Sequence, residues 1–397
     1  MFEALTAKAP DAIMHLMAMC KADTNPHKID LGVGVYKTED GATPIMRAVK
    51  KAEQLWWQEE QTKTYVSTVG NADFRKHMLE LILGKDMAEK YDPRMASSQA
   101  AGGSGALRLG AELIVAASPD AAVWVSTPTW ANHIPLISSA GLEIKTYPYY
   151  NRETLGVDFS DMIDRLKADA KPGDIVLLHG CCHNPTGADF SRGEWDILAK
   201  FLPEHGLIPF VDLAYFGLGR GMEDDTYGLR TLMDSVDELL LAASCSKNFA
   251  LYRERVGLVA VMSKDVDSAI NAQSQLGAIQ RKIISMPPDH GAALVARILG
   301  DASLRAEWVS ELDEMRGRMR DLRAQLSGAL NVQGGEIMAE AVKDQNGMFS
   351  TLPLSKAQAV ALREDHSVYL TDSGRINIAG ANSGNIPRLA EAILKVL

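Results

Sequence analysis

The sequence predicts an α/β fold with a largely parallel sheet, because apolar runs of strand type alternate with amphipathic stretches of helical type. Five apolar runs have the length of buried strands: AVWVS (122–126), DIVLLHG (174–180), LIPFVD (207–212), ELLLAASCS (238–246) and VGLVAVMS (256–263). Amphipathic stretches at 104–118, before the first of these runs, and at 191–206, between the second and the third, have the spacing of helices packed on a sheet.

A second, smaller α+β domain is predicted after about residue 300, where the pattern changes. Residues 304–330 form a long charged amphipathic stretch that predicts a helix, short strands follow, and a final helix begins near Pro387. We expect a large domain over 41–305 and a small domain over 306–397. Residues 1–40 are expected to form an N-terminal arm that joins the small domain or reaches across a partner.

Composition excludes several classes of function. The chain of 397 residues has a net charge of -10, which argues against general nucleic-acid binding. Neither a signal peptide nor an apolar run of about 18 residues appears, so no membrane association is expected. Four cysteines in so long a chain do not form a disulfide framework, which favours a cytoplasmic location: Cys20, Cys181, Cys182 and Cys245.

Lys247 is the first candidate for chemistry. It follows the apolar run 238–246, and ligands of open α/β sheets bind at the carboxyl ends of the strands. A lysine amine whose pKa is lowered can form a Schiff base with a carbonyl compound. Ser244 and Ser246 precede it and Arg255 follows, a combination that suits a phosphate. A lysine that only solubilises the surface is the competing interpretation.

Asp212 ends the run 207–212 and is the second candidate, with Tyr215 close behind it. A carboxylate in this place can hold a protonated heterocyclic nitrogen by a charged hydrogen bond. The competing interpretation is an aspartate that only caps a helix.

The segment VLLHGCCHNPTGADF (176–190) ends in a turn around Asn184, which explains its proline and glycine. The turn does not explain His179 and His183, which flank two cysteines. We discount a metal site, because adjacent cysteines do not easily ligate one ion together.

The segment AAGGSGALRLG (100–110) predicts a glycine turn that opens a helix, whose free N–H groups face a potential anion. A dinucleotide fingerprint is excluded, because Arg108 stands where the third glycine belongs. A phosphate cradle near Gly103 or a plain helix start both remain open.

Ser244 and Lys247 also match the S-x-x-K pattern of serine acyl-enzymes. That class also needs S-D-N and K-T-G elements, and neither tripeptide occurs in the chain. We therefore reject this interpretation.

Together these segments resemble the class I aminotransferases, in particular the aspartate and aromatic amino-acid branch. HGCCHNPTGAD, SCSKNFALYRERVG and GRINIAG appear in the order and spacing of that family, and the resemblance runs from residue 31 to residue 380. It implies a fold-type I pyridoxal-phosphate-dependent transferase whose large domain has a mostly parallel seven-stranded sheet flanked by helices. The cofactor would be pyridoxal 5′-phosphate, and no metal is implied.

The resemblance also implies catalytic roles. Lys247 would form the Schiff base with the cofactor and move the proton, and Asp212 would bind the pyridine nitrogen. Asn184 and Tyr215 would hydrogen-bond the phenolic oxygen, and Trp130 would stack on the ring with His133 behind it. The phosphate would be held by Gly103, Ser104, Ser244, Ser246 and Arg255.

On the substrate side, the resemblance implies that Arg375 binds the α-carboxylate and that the backbone approaches the substrate at Gly34, with Trp130 and Asn184 nearby. The family shares its sites between two subunits, which implies a homodimer. Tyr65 would reach the neighbour's phosphate and Arg281 the distal carboxylate of the neighbour's substrate.

The implied reaction is ping-pong transfer of an amino group to 2-oxoglutarate, through the pyridoxamine form, from L-aspartate, aromatic L-amino acids or both. Phe216, Ile284 and Met286 replace more polar residues frequent in aspartate enzymes, which suggests dual specificity, unless these are distant packing changes. Alternatives are a predominantly aromatic aminotransferase, a lyase or decarboxylase on the same fold, and a non-catalytic relative.

Overall fold

A computed structural model describes residues 1–7, 11–332 and 334–397 of the chain. Residues 8–10, in the predicted N-terminal arm, and residue 333, in the predicted small domain, lie outside the described residues.

The described residues form eleven strands. Their bounds are β1 Ile29–Asp30, β2 Met95–Ala101, β3 Ala122–Thr127, β4 Glu143–Pro148, β5 Ile175–His179, β6 Ile208–Leu213, β7 Leu239–Ser244, β8 Val256–Met262, β9 Phe349–Thr351, β10 Val368–Tyr369 and β11 Arg375–Asn377. The five apolar runs singled out above correspond to β3, β5, β6, β7 and β8. The edge strands β2 and β4 were not predicted, because their sequences MASSQAA and EIKTYP are short of large apolar residues.

Fifteen α-helices lie within the same described ranges. Their bounds are α1 Ala12–Ala22, α2 Arg47–Glu59, α3 Ala72–Leu83, α4 Lys85–Tyr91, α5 Gly102–Ala117, α6 His133–Ser138, α7 Phe159–Asp169, α8 Arg192–Glu204, α9 Met222–Met233, α10 Val266–Ile284, α11 His290–Gly300, α12 Ala302–Leu330, α13 Glu336–Asp344, α14 Lys356–His366 and α15 Ile386–Val396. Local signals set some of these ends: Ser191 and Glu194 form a capping box at α8, and Asp301 caps α12.

Seven strands form one sheet in the order β2-β8-β7-β6-β5-β3-β4. Every neighbouring pair is parallel except the two pairs that involve β8. The predicted α/β fold, with a mostly parallel seven-stranded sheet flanked by helices, is therefore confirmed. The antiparallel direction of β8 was not predicted.

Alternate residues along each central strand enter opposite cores, as the two-residue period of a strand requires. In β5, Val176 and Leu178 pack on one side of the sheet, and Ile175 and Leu177 pack on the other. Both faces are covered by helices, so the ends of the strands are the places where polar side chains reach a cavity.

A separate hydrophobic cluster lies away from the sheet and gathers residues from 29–31, 322–330 and 338–393. Strand β1 pairs with β10 in parallel, which ties this early segment to the C-terminal part of the chain. Helix α12 joins the two regions, because its first half packs in the large core and its second half in this cluster. The predicted domain limits at residues 40 and 305 stay a prediction.

Candidate active site

A pocket opens where β5, β6 and β7 end at the same edge of the sheet. Its lining contains eleven of the predicted site residues: Gly34, Gly103, Ser104, Trp130, Asn184, Asp212, Tyr215, Ser244, Ser246, Lys247 and Arg255. The convergence follows from the parallel pairing of β5 with β6 and of β6 with β7, which brings their carboxyl ends together.

Four further residues line the pocket without having been assigned to it: Leu107, His179, Ala214 and Tyr252. Leu107 and Tyr252 lie within segments that the sequence had already marked, each three positions from a predicted residue. Ala214 immediately precedes the predicted residue Tyr215. His179 was noticed as unexplained by its turn. Position in a marked segment was the available signal, since the residue types themselves are common in cores.

Lys247 follows β7 and directs its amine into this pocket. Its Nζ lies 4.5 Å from the centroid of the Tyr215 ring. Burial lowers the pKa of Lys247 to about 8, and the positive charge of Arg255 acts in the same direction, whereas Asp212 partly opposes the shift. A substantial share of this amine is therefore neutral near pH 7 to 8, and a neutral amine is a nucleophile and a base.

Asp212 is buried at the end of β6 and shares a hydrogen bond with His133, at 3.1 Å between Nε2 and Oδ2. Thr129 orients that imidazole through its other nitrogen, at 2.7 Å. Burial raises the pKa of Asp212, but the hydrogen bond with His133 and the charges nearby outweigh it, so the net pKa is lowered. Its Oδ1 has no hydrogen-bond partner among the described residues.

His179 lies between His133 and His183, with ring centroids at 5.0 and 4.1 Å. Burial, with the neighbouring His133 acting in the same direction, lowers the pKa of His179 to about 3, so its ring is neutral. Both ring nitrogens lack a hydrogen-bond partner in the described part of the chain. His183 is satisfied by Ser126 and Thr186 and belongs to the packing behind the pocket.

The part of the pocket at the start of α5 carries the features of an anion site. Helix α5 begins directly after β2, and Gly102 has a φ of +72°, which lets the chain turn there. A Cβ at Gly102 would lie 2.4 Å from Nη2 of Arg255, so the guanidinium occupies the space beside the helix start. Arg255 donates to Ser246 Oγ at 3.3 Å. Hydroxyls, a guanidinium and the N-terminus of α5 thus surround one point.

Arg375 borders the pocket from β11. Its Nη2 donates to the carbonyl of Gly32 at 2.8 Å, and its Nη1 donates to Asn184 Oδ1 at 3.3 Å. The guanidinium lies over the ring of Phe349, with 4.5 Å between Cζ and the centroid. Gly34 approaches the same ring, since a Cβ there would lie 3.1 Å from Phe349 Cζ. Arg375 is not one of the lining residues named above, but these contacts hold it next to Asn184, which is.

Tyr65 and Arg281 lie outside the pocket. Tyr65 is 92% exposed, and Arg281 is exposed near the end of α10, where its Nη1 donates to Ser285 Oγ at 3.3 Å. The placement of these two residues at a neighbour's site stays a prediction.

Phe216 is fully buried in the hydrophobic core and is absent from the pocket lining. Phe216 therefore fits the alternative of a distant packing change, because its side chain belongs to the hydrophobic core. Ile284 is 42% exposed at the end of α10, beside Arg281.

Two groups of side chains have the spacing of metal ligands within the described ranges: His133, His179 and Asp212, and Cys181, Cys182 and Asp225. In the second group Asp225 already accepts hydrogen bonds from the backbone N–H groups of Gly217, Gly219 and Arg220. In the first group Asp212 is already engaged with His133. The absence of a metal stays a prediction.

No helix in the described part of the chain has the length and apolar content needed to cross a bilayer.

Comparison with known proteins gives consistent matches over the whole chain. A family model for aminotransferases of class I and II matches residues 26–393. An aromatic-amino-acid aminotransferase of Paracoccus denitrificans is 45% identical over 99% of this chain and 98% of its own length. An aspartate aminotransferase of Escherichia coli (strain K12) is 43% identical over 100% of both chains.

Solved structures of such enzymes are similar to the fold as a whole. An aromatic amino acid aminotransferase with 3-indolebutyric acid has a TM-score of 0.96 at 45% identity, over 100% of both chains. An aromatic-amino-acid aminotransferase from Burkholderia pseudomallei, covalently bound to pyridoxal phosphate, has a TM-score of 0.96 at 39% identity, over 100% of this chain and 99% of its own.

Proposed function

The chain belongs to the class I and II aminotransferases, and from this premise we propose that it transfers the amino group of L-aspartate and of aromatic L-amino acids to 2-oxoglutarate with pyridoxal 5′-phosphate as cofactor. Relatives named for aspartate and relatives named for aromatic substrates match the chain about equally well, which supports both substrate classes. The predicted cytoplasmic location belongs to this proposal and rests on four cysteines that are all unpaired.

The observation that carries the proposal is the pairing of Lys247 and Asp212 in one pocket. An amine whose pKa is about 8 faces the same cavity as a buried carboxylate whose Oδ1 lacks a partner among the residues described. A buried, unsatisfied carboxylate oxygen is costly unless a ligand completes it. A protonated pyridine nitrogen fits Asp212, and an aldehyde fits Lys247.

When bound, pyridoxal phosphate supplies an electron sink for the electron pair left at the substrate Cα. The work of the protein is to move the proton and to hold the reactants. Lys247 Nζ takes the proton from Cα as a neutral amine. Asp212 keeps its negative charge opposite the ring nitrogen, and His133 fixes the orientation of that carboxylate. Tyr215 and Asn184, whose side chains lie 3.5 Å apart, are placed to hold the phenolic oxygen.

The phosphate of the cofactor fits the anion site formed by Gly103, Ser104, Ser244, Ser246 and Arg255. A Cβ at Gly103 would lie 3.1 Å from the Cβ of Ser244, so helix start and strand end approach each other closely here. A dianion gains both from the partial positive charge of α5 and from the positive charge of the guanidinium.

Arg375 is the residue we assign to the α-carboxylate of the substrate. Burial lowers the pKa of Arg375, because a guanidinium in this place loses water. Its Nε lacks a hydrogen-bond partner in the ranges that the structure describes, so a carboxylate would satisfy an incomplete group. A bidentate pair would fix the orientation of the substrate, which is the main requirement for removing a chosen Cα proton.

The proposal includes a homodimer with shared sites. Tyr65 and Arg281 are exposed and available to a second subunit, Tyr65 to its phosphate and Arg281 to the distal carboxylate of its substrate. Exposed Ile283 and Ile284 accompany Arg281 at the end of α10 and offer apolar surface for the interface or for an aromatic substrate.

Absorbance spectroscopy of the holoenzyme tests the function directly. L-aspartate and L-phenylalanine, added in separate cuvettes without a keto acid, should each convert the absorbance of the lysine-bound cofactor to that of the aminated cofactor. Addition of 2-oxoglutarate should restore the original spectrum. Steady turnover of amino acid without any keto acid would indicate a lyase or decarboxylase instead, and an unchanged spectrum with phenylalanine would remove the aromatic substrates.

A further inference from the structure

Gln99 is a fully buried amide in β2 that connects two segments distant in sequence. One is the Tyr65 loop, residues 60–71 between α2 and α3. The other is the Arg281 segment, residues 281–289, which ends α10 and leads to α11. The N–H of Asn71 donates to Gln99 Oε1 at 2.9 Å, and Gln99 Nε2 donates to the carbonyl of Pro288 at 2.7 Å. A single side chain therefore holds the ends of both segments.

The main chain of Gln99 makes the same connection a second time. Its N–H donates to the carbonyl of Val69 at 2.9 Å, and its carbonyl accepts from Gln280 Nε2 at 3.1 Å. Gln280 is buried and immediately precedes Arg281. The chain on either side of Arg281 is thus tied to Gln99, through the side chain of Gln280 before it and the carbonyl of Pro288 after it.

Close packing reinforces these hydrogen bonds. Gly70 has a φ of +82°, and a Cβ there would lie 2.4 Å from Gln99 Oε1, so the loop backbone rests directly on the amide. Asn71 Nδ2 donates to Asp289 Oδ1 at 3.2 Å, which joins the two segments without Gln99. Thr68 lies against α10 at Gly277, one turn before Arg281.

These contacts set a distance. Two hydrogen bonds near their preferred length, made by the two ends of one amide, fix the separation of the segments that they hold. A buried amide that loses a partner leaves the partner unsatisfied, so the arrangement resists loosening. Tyr65 and Arg281 are themselves exposed, so their position depends on how their segments are anchored.

We propose that Gln99 is a positioning residue that holds the Tyr65 loop and the Arg281 segment in one fixed arrangement, so that Arg281 meets the distal carboxylate of a substrate in the partner's site. The inference rests on the proposed function, because it assumes that Arg281 serves that site. Gln99 touches neither substrate nor cofactor and acts only through the two segments. Through Arg281, its effect falls on ligands that carry a second carboxylate, whereas an effect through Tyr65 would fall on the cofactor phosphate and weaken the binding of all ligands alike.

The test uses Gln99→Leu in the full-length holoenzyme and two unreactive ligands, succinate for the dicarboxylate and 3-phenylpropanoate for the aromatic substrate. Dissociation constants come from calorimetry. We expect about a tenfold rise for succinate, because Gln99→Leu removes both side-chain hydrogen bonds that hold the two segments, and less than about a twofold change for 3-phenylpropanoate. A parallel measurement of thermal unfolding reports general destabilisation.

Gln273→Leu is the matched control. Gln273 also lies on α10 and also pairs with β2, accepting from Ser97 N at 2.9 Å and donating to Ser97 O at 3.1 Å, but it has no hydrogen bond to either segment. It should leave both dissociation constants unchanged. Gln99→Glu is a second variant that keeps the acceptor for Asn71 and loses the donor to Pro288, and it should weaken succinate binding selectively if the leucine variant does not fold.

A double variant separates this inference from the proposed function. Arg281→Leu alone tests whether Arg281 reads the distal carboxylate. If it weakens succinate binding, then adding Gln99→Leu should change the succinate dissociation constant by less than about a further twofold. The reason is that the contact of Arg281 with the carboxylate is already lost. The positioning role would be overturned if Gln99→Leu raised the dissociation constants of both ligands equally. It would also be overturned if Gln99→Leu raised the succinate dissociation constant as much in the Arg281→Leu background as in the wild type. An unchanged succinate affinity in Arg281→Leu would refute the assignment of Arg281 and, with it, the proposal that Gln99 acts through Arg281.

Discussion

Arg375 donates a hydrogen bond from Nη1 to Asn184 Oδ1 at 3.3 Å, although 191 positions separate the two residues. Asn184 belongs to the turn after β5, at the edge of the large sheet, whereas Arg375 begins β11 in the C-terminal part of the chain. Thr351, on the strand paired with β11, also donates to the carbonyl of Pro185 at 3.0 Å. The residue that we assign to the substrate carboxylate is thus aligned with the cofactor pocket by the turn that follows Asn184.

Replacement of Lys247 tests the central assignment. Lys247→Ala should abolish covalent attachment of pyridoxal phosphate, detected by borohydride reduction and mass spectrometry. Transamination should fall by at least about 10²- to 10⁴-fold, the usual contribution of a positioned proton-transfer group. Lys247→Arg retains the charge but offers no neutral amine, and it should be equally inactive. A reduced cofactor adduct found on Lys247→Ala would show that the cofactor is attached to a different residue.

The pKa of Lys247 predicts a pH dependence for the apoenzyme. Burial lowers this pKa from 10.5 to about 8, and only the neutral amine attacks an aldehyde. The rate at which apoenzyme captures pyridoxal phosphate should therefore rise with pH and level off above about 8, as followed by absorbance in a stopped-flow instrument. A rate still climbing steeply at pH 10 would show that the amine behaves as an ordinary exposed lysine.

Asp212 should control affinity for the cofactor rather than stability. In Asp212→Asn the charged hydrogen bond to the ring nitrogen becomes neutral, so pyridoxal phosphate should bind about 10- to 100-fold more weakly. The matched control is Asp225→Asn, a buried carboxylate that accepts three backbone hydrogen bonds away from the pocket lining. It should lower the melting temperature and leave cofactor affinity unchanged. Equal loss of cofactor in both variants would contradict the assignment of Asp212.

Arg281 should determine the response to dicarboxylic substrates. Removal of a charge that pairs with a substrate carboxylate usually costs about 2 kcal/mol or more, so Arg281→Leu should lower kcat/KM for L-aspartate by about 30-fold or more. The kcat/KM of this variant for L-phenylalanine should stay the same or rise, because the aromatic substrate no longer desolvates a charged side chain. Lys282→Leu changes the neighbouring exposed cation and should alter neither. Parallel loss on both substrates would indicate a general defect.

Hybrid dimers test whether sites are shared. A subunit with Lys247→Ala and a subunit with Arg281→Leu each lack full aspartate activity as homodimers. A hybrid contains one site with intact Lys247 from one subunit and intact Arg281 from the other. Co-expression with two purification tags should therefore yield hybrids with about half the wild-type activity per dimer. Hybrids as inactive as the parents would show that each site is built within one subunit.

Much of the site could be predicted because its residues stand at strand ends within distinctive local segments. The apolar run of β7 placed Ser244 and Lys247 at the edge of a sheet, and the run of β6 did the same for Asp212. Where the local pattern was weak, prediction failed: β2 carries small and polar residues, so neither the strand nor the burial of Gln99 was anticipated. The sequence left two interpretations of Phe216 open, because a pocket residue, Tyr215, and a core residue can stand at adjacent positions.

Sequence alone determined the fold class, the family and the residues available for chemistry, because hydrophobic periodicity and local motifs are properties of short contiguous stretches of sequence. Tertiary structure alone decided which of them meet. The antiparallel direction of β8, the contact between Asn184 and Arg375 and the anchoring of two segments by Gln99 all depend on pairings between distant positions. Hydrogen-bond partners and packing across such separations are set by the register of the folded chain, which no local pattern encodes.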